Sequence, residues 1–266
     1  MNRPLFDPNQ PFNSFAFDGE VAVVSGGARG IGFAISNTLI SLGAKVLIAD
    51  LDGEAAEFAA EKLGENAIGL SCDVTEETSV QALVDKAWTD FGRLDMLVNN
   101  AGRAIRAKAI DLSLDDWQSV VDVNMTAVFS VSRTAVRRHL DANGDKRTLR
   151  IVNMSSMMGL SGGGLYPNQS YQATKGAVVN LTRAMAVEWA QDNVRVNALA
   201  PTWVRTDFIA PLLGDAAIVK QMEALMPMRR LAEPEDIAGA AMFLLSTAAA
   251  MVTGHTLAVD GGFLAQ

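Results

Sequence analysis

Cysteine and histidine are scarce in this sequence of 266 residues, which has one cysteine, Cys72, and two histidines, His139 and His255. A single thiol cannot form a disulfide within the chain, and it cannot build a thiolate metal cluster. The two histidines lie far apart in the sequence, which disfavours a histidine-rich zinc site. We therefore expect no metal site.

Positive charge is also in short supply, because 22 lysines and arginines face 30 aspartates and glutamates, for a net charge of −8. Without a long basic run, nucleic acids and anionic membranes are disfavoured as partners. No apolar run reaches the roughly 18 residues that a membrane-spanning helix needs. Residues 1–18 lack the apolar centre of a signal peptide. They predict a short N-terminal arm on a cytoplasmic protein.

Short apolar runs alternate with helical patterns over the rest of the chain. This alternation predicts an α/β fold in which a doubly wound, Rossmann-type parallel sheet of about seven strands carries helices on both faces. No linker interrupts residues 19–266, so a single domain is expected. The predicted strands are Val21–Val24, Lys45–Ala49, Ala67–Cys72, Met96–Val98, Leu149–Asn153, Arg195–Ala200 and Thr256–Val259. The predicted helices are Ile31–Leu42, Gly53–Lys62, Glu76–Phe91, Leu114–Leu140, Ser170–Trp189 and Glu233–Leu245.

One segment interrupts this alternation of strands and helices. Asp207–Met228 is helix-prone and apolar, and it follows the end of a predicted strand. A substrate lid around residues 206–228 fits that position. A packing excursion without a role in binding fits the composition equally well.

A glycine-rich turn joins the first strand to the first helix, with Gly26, Gly30 and Gly32 spaced G-x3-G-x-G. Glycines let the backbone approach a pyrophosphate, and the helix that begins near Ile31 offers free N–H groups and the positive end of its dipole. The turn therefore predicts a dinucleotide site.

Asp50 ends the second predicted strand, where a carboxylate accepts hydrogen bonds from a ribose 2′-hydroxyl and repels a 2′-phosphate. It favours NAD as the cofactor, with NADP less favoured. Arg29 in the glycine turn weakens this preference, because a guanidinium there can hold a phosphate. Arg29 can equally be a solvated turn residue or pair with Asp50.

Tyr171 and Lys175 lie four residues apart at the start of a predicted helix, so their side chains can share one face. A cation about 4 Å from a phenol contributes roughly 4 kcal/mol at an effective dielectric constant of about 20, enough to lower the phenol pKa by about 3. Such a tyrosine suits acid–base chemistry near neutral pH. By itself the spacing is more typical of a solvated lysine beside a half-buried tyrosine, because many tyrosines have a lysine four residues on.

With these residues in place, Gly19–Phe263 resembles the short-chain dehydrogenase/reductase family in its single-domain form. The stretches Tyr166–Tyr171 and Ala186–Ala190 resemble its branch that acts on polyols and sugars. The ordered motifs that carry the resemblance are Gly26–Gly32, Asp73, Asn99–Gly102, Asn124, Ser155–Ser156, Tyr171 with Lys175, and Pro201–Thr206.

The resemblance implies that Tyr171 is the general acid and base and that Lys175 lowers its pKa and holds the nicotinamide ribose. Ser156 would bind the substrate oxygen, and Asn124 would hold a water in a proton relay to Lys175. The expected cofactor contacts are Gly26, Arg29, Gly30, Ile31, Gly32, Asp50, Asp73, Val74, Asn100, Ala101, Gly102, Tyr171, Lys175, Pro201, Val204 and Thr206.

Two departures from the family pattern concern the catalytic loop and the turn after the sixth strand. The resemblance places the serine three residues before a glycine, so Gly159 selects Ser156 over Ser155. The loop from there to Tyr171 is about two residues longer than usual. Thr202 replaces the usual glycine after Pro201, which leaves the geometry of that turn open.

The longer loop and the Asn-Asn-Ala-Gly turn bring hydrogen-bonding side chains toward the expected pocket. We expect a small polyhydroxylated alcohol or ketone as substrate. Arg103 and Arg106 could instead indicate a carboxylated substrate such as a sugar acid, or be plain surface charges. The expected substrate contacts are Arg103, Ser156, Met158, Tyr166, Asn168, Tyr171 and Trp203.

Three functions remain in view. The first is an NAD-dependent oxidoreductase that moves a hydride between nicotinamide and a secondary alcohol or ketone. The second is a β-ketoacyl thioester reductase, against which Asp50 argues because that activity usually needs NADPH. The third is a sensor that binds the cofactor without chemistry. The resemblance also implies a homotetramer.

Overall fold

The computed structural model of the protein describes residues 14–142 and 147–266. The predicted N-terminal arm therefore lies outside the described residues up to position 13. Its last part packs against the domain, since Phe17 is buried and its N–H donates to the carbonyl oxygen of Leu42 over 2.8 Å.

Seven parallel strands form one sheet in the order β3-β2-β1-β4-β5-β6-β7. The chain builds outward from β1 to β3 and then returns to the other side of β1 with β4. This reversal makes the crevice at the carboxyl ends of β1 and β4 the expected ligand site. The strands are β1 Val21–Ser25, β2 Lys45–Asp50, β3 Ala67–Ser71, β4 Met96–Asn99, β5 Leu149–Met154, β6 Val194–Pro201 and β7 Thr256–Val259.

Helices cover both faces of the sheet and divide the apolar core into two clusters. One cluster unites strand residues such as Val24 with Ile35 and Ile237 from helices α1 and α9. The other unites Leu97 with Val80 of α3 and with residues of α5 and α6. The helices are α1 Gly30–Ser41, α2 Gly53–Leu63, α3 Glu77–Phe91, α4 Leu114–Val121, α5 Ala127–Asp141, α6 Gln169–Trp189, α7 Ala210–Leu213, α8 Ala216–Leu225 and α9 Pro234–Leu245. The predicted doubly wound α/β fold is confirmed.

The prediction of one regular helix over Leu114–Leu140 is wrong in its middle. A π-helical turn over Asp122–Thr126 separates α4 from α5, while the backbone remains helical on both sides. Such a turn inserts one residue without breaking the helix, so the apolar periodicity does not reveal it. Its consequence is local, because it sets the orientation of Asn124.

The segment after β6 forms a small helical layer over the carboxyl end of the sheet. A 3₁₀ turn over Asp207–Ile209 leads into α7 and α8. Met222 and Met226 of this layer are fully buried against Trp203 and Met157. This third apolar cluster fixes the layer beside the cleft.

Candidate active site

One cleft of about 620 Å³ runs along the carboxyl ends of the strands and contains nearly all the predicted site residues. Gly32 and Asn124 do not line it. The predicted residues that line it are Gly26, Arg29, Gly30, Ile31, Asp50, Asp73, Val74, Asn100, Ala101, Gly102, Arg103, Ser156, Met158, Tyr166, Asn168, Tyr171, Lys175, Pro201, Trp203, Val204 and Thr206.

The glycine turn is packed too closely to admit side chains at two positions. Gly26 has φ +59, and a Cβ there would lie 2.9 Å from the Cα of Ala101. A Cβ on Gly32 would lie 2.1 Å from the carbonyl oxygen of Gly26, which explains why Gly32 shapes the turn without lining the cleft. Arg29 precedes α1 without capping it through its side chain. The first N–H groups of α1 therefore suit the phosphates of a dinucleotide.

The carboxylate of Asp50 is held at the end of β2 by two backbone donors. Its oxygens accept hydrogen bonds from the N–H groups of Ala28 and Asp52, each over 3.2 Å. Arg29 does not pair with Asp50, one of the options left open above. It forms an ion pair with Asp52 instead. The Ala55 N–H and then the Arg29 guanidinium lower the pKa of Asp52.

Asn100 braces the glycine turn from the neighbouring strand. Its side-chain amide donates to the carbonyl oxygens of Gly26, over 2.8 Å, and Ser25, over 3.2 Å. Asp73 binds within its own turn, where its Oδ1 accepts from the N–H and the hydroxyl of Thr75. Both side chains thus shape the cleft wall at the positions predicted to bind the nucleotide.

Ser156, Tyr171 and Lys175 meet where β5 and α6 face each other. The Ser156 hydroxyl accepts from the N–H of Met158 over 3.2 Å and lies near enough to the Tyr171 phenol to lower its pKa. The Ser155 hydroxyl turns away and donates to the backbone carbonyl of Lys175 over 2.8 Å. Of the two serines, only Ser156 therefore presents its hydroxyl to Tyr171.

Gly159 permits this meeting of β5 and α6. A Cβ at this position would lie 2.5 Å from the carbonyl carbon of Lys175, closer than unbonded atoms approach. Gly159, which identified Ser156 as the catalytic serine in the sequence, is thus the point where the turn after β5 contacts α6.

The expectation that Lys175 lowers the pKa of Tyr171 is not met in this structure. Burial raises the pKa of Tyr171 to about 12, although the neighbouring Ser156 hydroxyl acts to lower it. Lys175 lies with its Nζ 5.5 Å from the centre of the Tyr171 ring, and it donates to the carbonyl oxygen of Met154 over 2.6 Å. Burial lowers the pKa of Lys175 itself to about 8.

Asn124 is fully buried in the π-helical turn, behind the cleft wall. Its amide exchanges two hydrogen bonds with the backbone of Arg103, over 2.8 and 2.9 Å. It also donates to the hydroxyl of Thr174 over 3.1 Å. Asn124 thereby ties the segment after β4 to α6, and its role in a proton relay stays a prediction.

The far end of the cleft is built around Tyr166. The indole N–H of Trp203 donates to the Tyr166 hydroxyl over 3.0 Å, and the guanidinium of Arg106 lies 5.3 Å from the Tyr166 ring centre. Asn168 is buried and its amide points at the sulfur of Met158, 3.4 Å away. The longer loop therefore contributes the half-buried Tyr166 to the cleft lining, and its buried Asn168 supports the loop from within.

Thr202 causes no strain where the family pattern has glycine. It is absent from the described non-glycine residues with positive φ, which are Asn193 and Arg229. Its hydroxyl lies 2.9 Å from the sulfur of Met226. The threonine thus connects the end of β6 to the helical layer.

Several cleft residues were missing from the predicted set. Phe208 is the most informative, because its ring centre lies 5.9 Å from that of Tyr171. In the sequence, only its position inside the predicted lid segment, residues 206–228, indicated that Phe208 could lie near the substrate. Leu51 follows Asp50 directly and is 72% exposed. The others that line the cleft are Cys72, Ala104, Val123, Met154, Ser155, Met157, Thr202, Asp207 and Ile209, while Arg106, named above as a possible substrate contact, lines it as well.

Residues 14–142 and 147–266 show neither a metal-binding cluster nor a membrane-spanning helix. No group of three or more histidine, cysteine, aspartate or glutamate side chains is arranged to hold a metal ion. No described helix has the length and apolarity to cross a membrane.

Comparisons with known proteins agree with this geometry. A family model described as enoyl-(acyl carrier protein) reductase matches residues 26–264. D-threitol dehydrogenase of Mycolicibacterium smegmatis is 40% identical over 252 residues, which cover 94% of each chain.

Two crystal structures share the fold. A short-chain type dehydrogenase/reductase from Mycobacterium marinum superposes with a TM-score of 0.90, at 31% identity over 96% of this chain and 99% of the other. A proposed NAD(P)-dependent gluconate 5-dehydrogenase from Beutenbergia cavernae, with bound NADP, gives a TM-score of 0.85 at 38% identity over 95% and 100%. The resemblance inferred from the motifs is confirmed, and the chain belongs to the short-chain dehydrogenase/reductase family of NAD(P)-dependent oxidoreductases.

Proposed function

We propose that this enzyme oxidises a secondary hydroxyl of a small polyhydroxylated molecule, or reduces the matching ketone, with NAD preferred over NADP. The observation that carries the proposal is the pair of neighbouring hydroxyls on Ser156 and Tyr171, with Lys175 beside them, in the same cleft as the glycine turn and Asp50. A reacting hydroxyl and a dinucleotide would then meet in one cleft.

The residues present fit a nicotinamide dinucleotide. The uncapped start of α1 would hold the phosphates, Asp50 the adenosine ribose and Lys175 the nicotinamide ribose. When bound, the nicotinamide supplies an acceptor for the hydride that leaves the substrate carbon. Val204 and Thr206 line the cleft where its carboxamide would lie.

The chain's own residues handle the oxygen of the substrate. Ser156 orients the hydroxyl by a hydrogen bond, and Tyr171 takes its proton as the carbon–oxygen double bond forms. In the reverse direction Tyr171 returns that proton to the carbonyl oxygen. Because burial keeps the phenol protonated in the unliganded cleft, the tyrosine starts as an acid and needs added positive charge to act as a base.

A small polar substrate is supported by what faces the open end of the cleft. Arg103, Arg106 and the hydroxyl of Tyr166 offer hydrogen bonds there. The similar proteins act on a neutral polyol, threitol, and by description on a sugar acid, gluconate. We infer a substrate of that size and polarity, covered by the helical layer around residues 206–228 as a lid.

Preference for NAD rests on Asp50. A fixed carboxylate at this position repels a 2′-phosphate, and the guanidinium of Arg29 is already paired with Asp52. The positive charge that could attract NADP is thus partly neutralised. The similar structure from Beutenbergia cavernae contains bound NADP, and the ratio of activities with NAD and NADP tests the preference.

A homotetramer is part of the proposal. Apolar side chains of α5 and α6 are exposed in the single chain, with Phe129 44% and Val187 83% accessible. Subunit contacts across these helices would cover them. Sedimentation analysis that finds a monomer would remove this element.

The decisive experiment is a substrate panel with each cofactor. Alditols, aldonates, their keto forms and a β-ketoacyl thioester are assayed by NADH or NADPH absorbance. Turnover of an alditol or aldonate, faster with NAD, supports the proposal. Activity confined to the thioester would establish the reductase alternative, and cofactor binding without any turnover would establish the sensor alternative.

A further inference from the structure

We infer that Arg106 selects substrates that carry a carboxylate, so that the preferred substrate is a small polyhydroxylated acid and not a neutral polyol. This inference rests on the proposed function and deepens it. It identifies the substrate class by the charge that the cleft is built to receive.

Arg106 lines the cleft at its substrate end and is held from two sides. Its guanidinium lies 5.3 Å from the ring centre of Tyr166, and one Nη donates to the backbone carbonyl of Phe208 over 3.2 Å. The residue is therefore positioned by the long loop and by the lid, while its charge stays beside the cleft.

That charge lacks a counter-ion within the protein. Among the described parts of the chain, no carboxylate forms an ion pair with Arg106, and its Nε is buried without a hydrogen-bond acceptor. A guanidinium has five N–H donors, and Phe208 satisfies one of them. A buried N–H donor without an acceptor costs free energy, and a carboxylate bound at the Nε of Arg106 would supply that acceptor.

The other cations that line the cleft are placed differently. Arg29 is paired with Asp52 at the nucleotide end, Lys175 donates to Met154 beside the catalytic tyrosine, and Arg103 is exposed. Arg106 is the half-buried cation at the substrate end.

Arg106 is also close to the reacting group. Burial raises the pKa of Tyr171, and the charge of Arg106 is near enough to oppose that rise. Phe208, whose carbonyl binds Arg106, has its ring 5.9 Å from the ring of Tyr171. A compact hydroxy acid can therefore reach both groups, with its hydroxyl at Tyr171 and Ser156 and its carboxylate on the planar guanidinium.

The test compares matched substrates that differ only at one end, D-gluconate against D-glucitol and threonate against threitol. The unchanged enzyme should favour the acid of each pair in kcat/KM. Arg106→Gln should reduce kcat/KM for the acids by about 10- to 100-fold, mainly through KM, and for the alditols by less than about threefold. Arg106→Lys should retain part of the preference for acids, because it keeps the positive charge but loses the planar pair of N–H donors that can bind a carboxylate through both oxygens.

Lys108→Gln is the matched control, since it removes one positive charge from an exposed site two residues away that does not line the cleft. It should leave the acid-to-alditol ratio intact. Binding of NADH, followed by fluorescence, and the thermal midpoint report whether each variant is folded.

Two results would overturn the inference while leaving the proposed function standing. One is a preference of the unchanged enzyme for alditols. The other is an equal loss for acids and alditols in Arg106→Gln, which would mean that Arg106 only anchors the lid at Phe208. Absence of turnover on every acid and alditol with either cofactor would overturn the proposed function and the inference together.

Discussion

The ammonium of Lys175 donates a hydrogen bond to the carbonyl oxygen of Met154, 2.6 Å away, at the end of β5. The lysine is 3% exposed, and no ion pair with it occurs in the described part of the chain. A buried ammonium bound to one carbonyl is incompletely compensated for the hydration it has lost. The unliganded cleft therefore carries a destabilising charge.

Replacement of this lysine should stabilise the unliganded protein while ending its activity. A pKa that falls from 10.5 to about 8 corresponds to a cost of about 3 kcal/mol below pH 8. Lys175→Met should raise the free energy of unfolding by up to that amount at pH 7. Urea denaturation at several pH values measures the difference.

The pH dependence of this gain follows from the sign of the shift. Between pH 8 and 10.5 the unfolded state holds a proton on Lys175 that the folded state has lost, so the original protein gains stability as pH rises. The advantage of Lys175→Met should therefore shrink across that interval. Lys108→Met, at an exposed lysine, should show no such dependence. Equal stability of Lys175→Met and the original at pH 7 would refute this account of the buried charge.

Ionisation of Tyr171 should depend on the cofactor. In the free protein its pKa is raised to about 12 by burial, so phenolate absorbance should be missing at pH 9. Oxidised NAD brings a positive charge beside the phenol and should lower its pKa. The sequence contains only one other tyrosine, Tyr166, so the spectrum of Tyr171→Phe can be subtracted directly. An unchanged phenolate titration in saturating NAD would count against Tyr171 as the base.

Tyr171→Phe should remove acid–base catalysis and spare cofactor binding. The variant keeps the ring that packs near Phe208 and loses only the hydroxyl. We expect kcat to fall by about 10²- to 10⁴-fold, with NADH still bound, as measured by fluorescence titration. Tyr166→Phe loses the bond from Trp203 and should act mainly on KM. Turnover by Tyr171→Phe near the original rate would exclude the assigned role.

The extent of successful prediction differs between the fold and the site. Apolar runs located all seven strands to within one residue at each end, because buried parallel strands are continuous in hydrophobicity. The ordered motifs located the cleft, because nearly all of their residues line it. The π-helical turn at Asp122–Thr126 stayed hidden, since one inserted residue leaves the local composition unchanged.

Electrostatics at the site depended on contacts that no spacing encodes. Helical spacing correctly predicted that Lys175 lies near Tyr171. The ammonium, however, donates to the carbonyl oxygen of Met154 on another element, and burial is the largest influence on the pKa of the phenol. Likewise, Arg29 forms its ion pair with Asp52 and not with Asp50, because Asp52 caps the start of α2 beside the glycine turn. Long-range partners, not residue types, set these two outcomes.

Cofactor preference should respond to two aspartates in different ways. Asp50→Ala removes the carboxylate that faces the ribose and should raise the ratio of kcat/KM for NADP to that for NAD by about tenfold or more. Asp52→Asn keeps a side-chain oxygen for the N–H of Ala55 and frees Arg29 from its ion pair. It should improve use of NADP by a smaller factor, with little loss of NAD activity. A ratio that Asp50→Ala leaves unchanged would rule out Asp50 as the selecting residue.

Gly159 offers a test of how tightly the catalytic turn and α6 must pack. A methyl group at this position would lie 2.5 Å from the backbone carbon of Lys175, so Gly159→Ala must push the turn that carries Ser156 away from the helix. We expect a loss of about 1–3 kcal/mol in the free energy of unfolding, together with a fall in kcat. Gly162→Ala is the matched control in the same loop, because a Cβ there meets no atom within 4 Å. It should be neutral or slightly stabilising. If the two variants behaved alike in urea denaturation and in kcat, the close approach of Gly159 to α6 would not be what holds Ser156 against Tyr171.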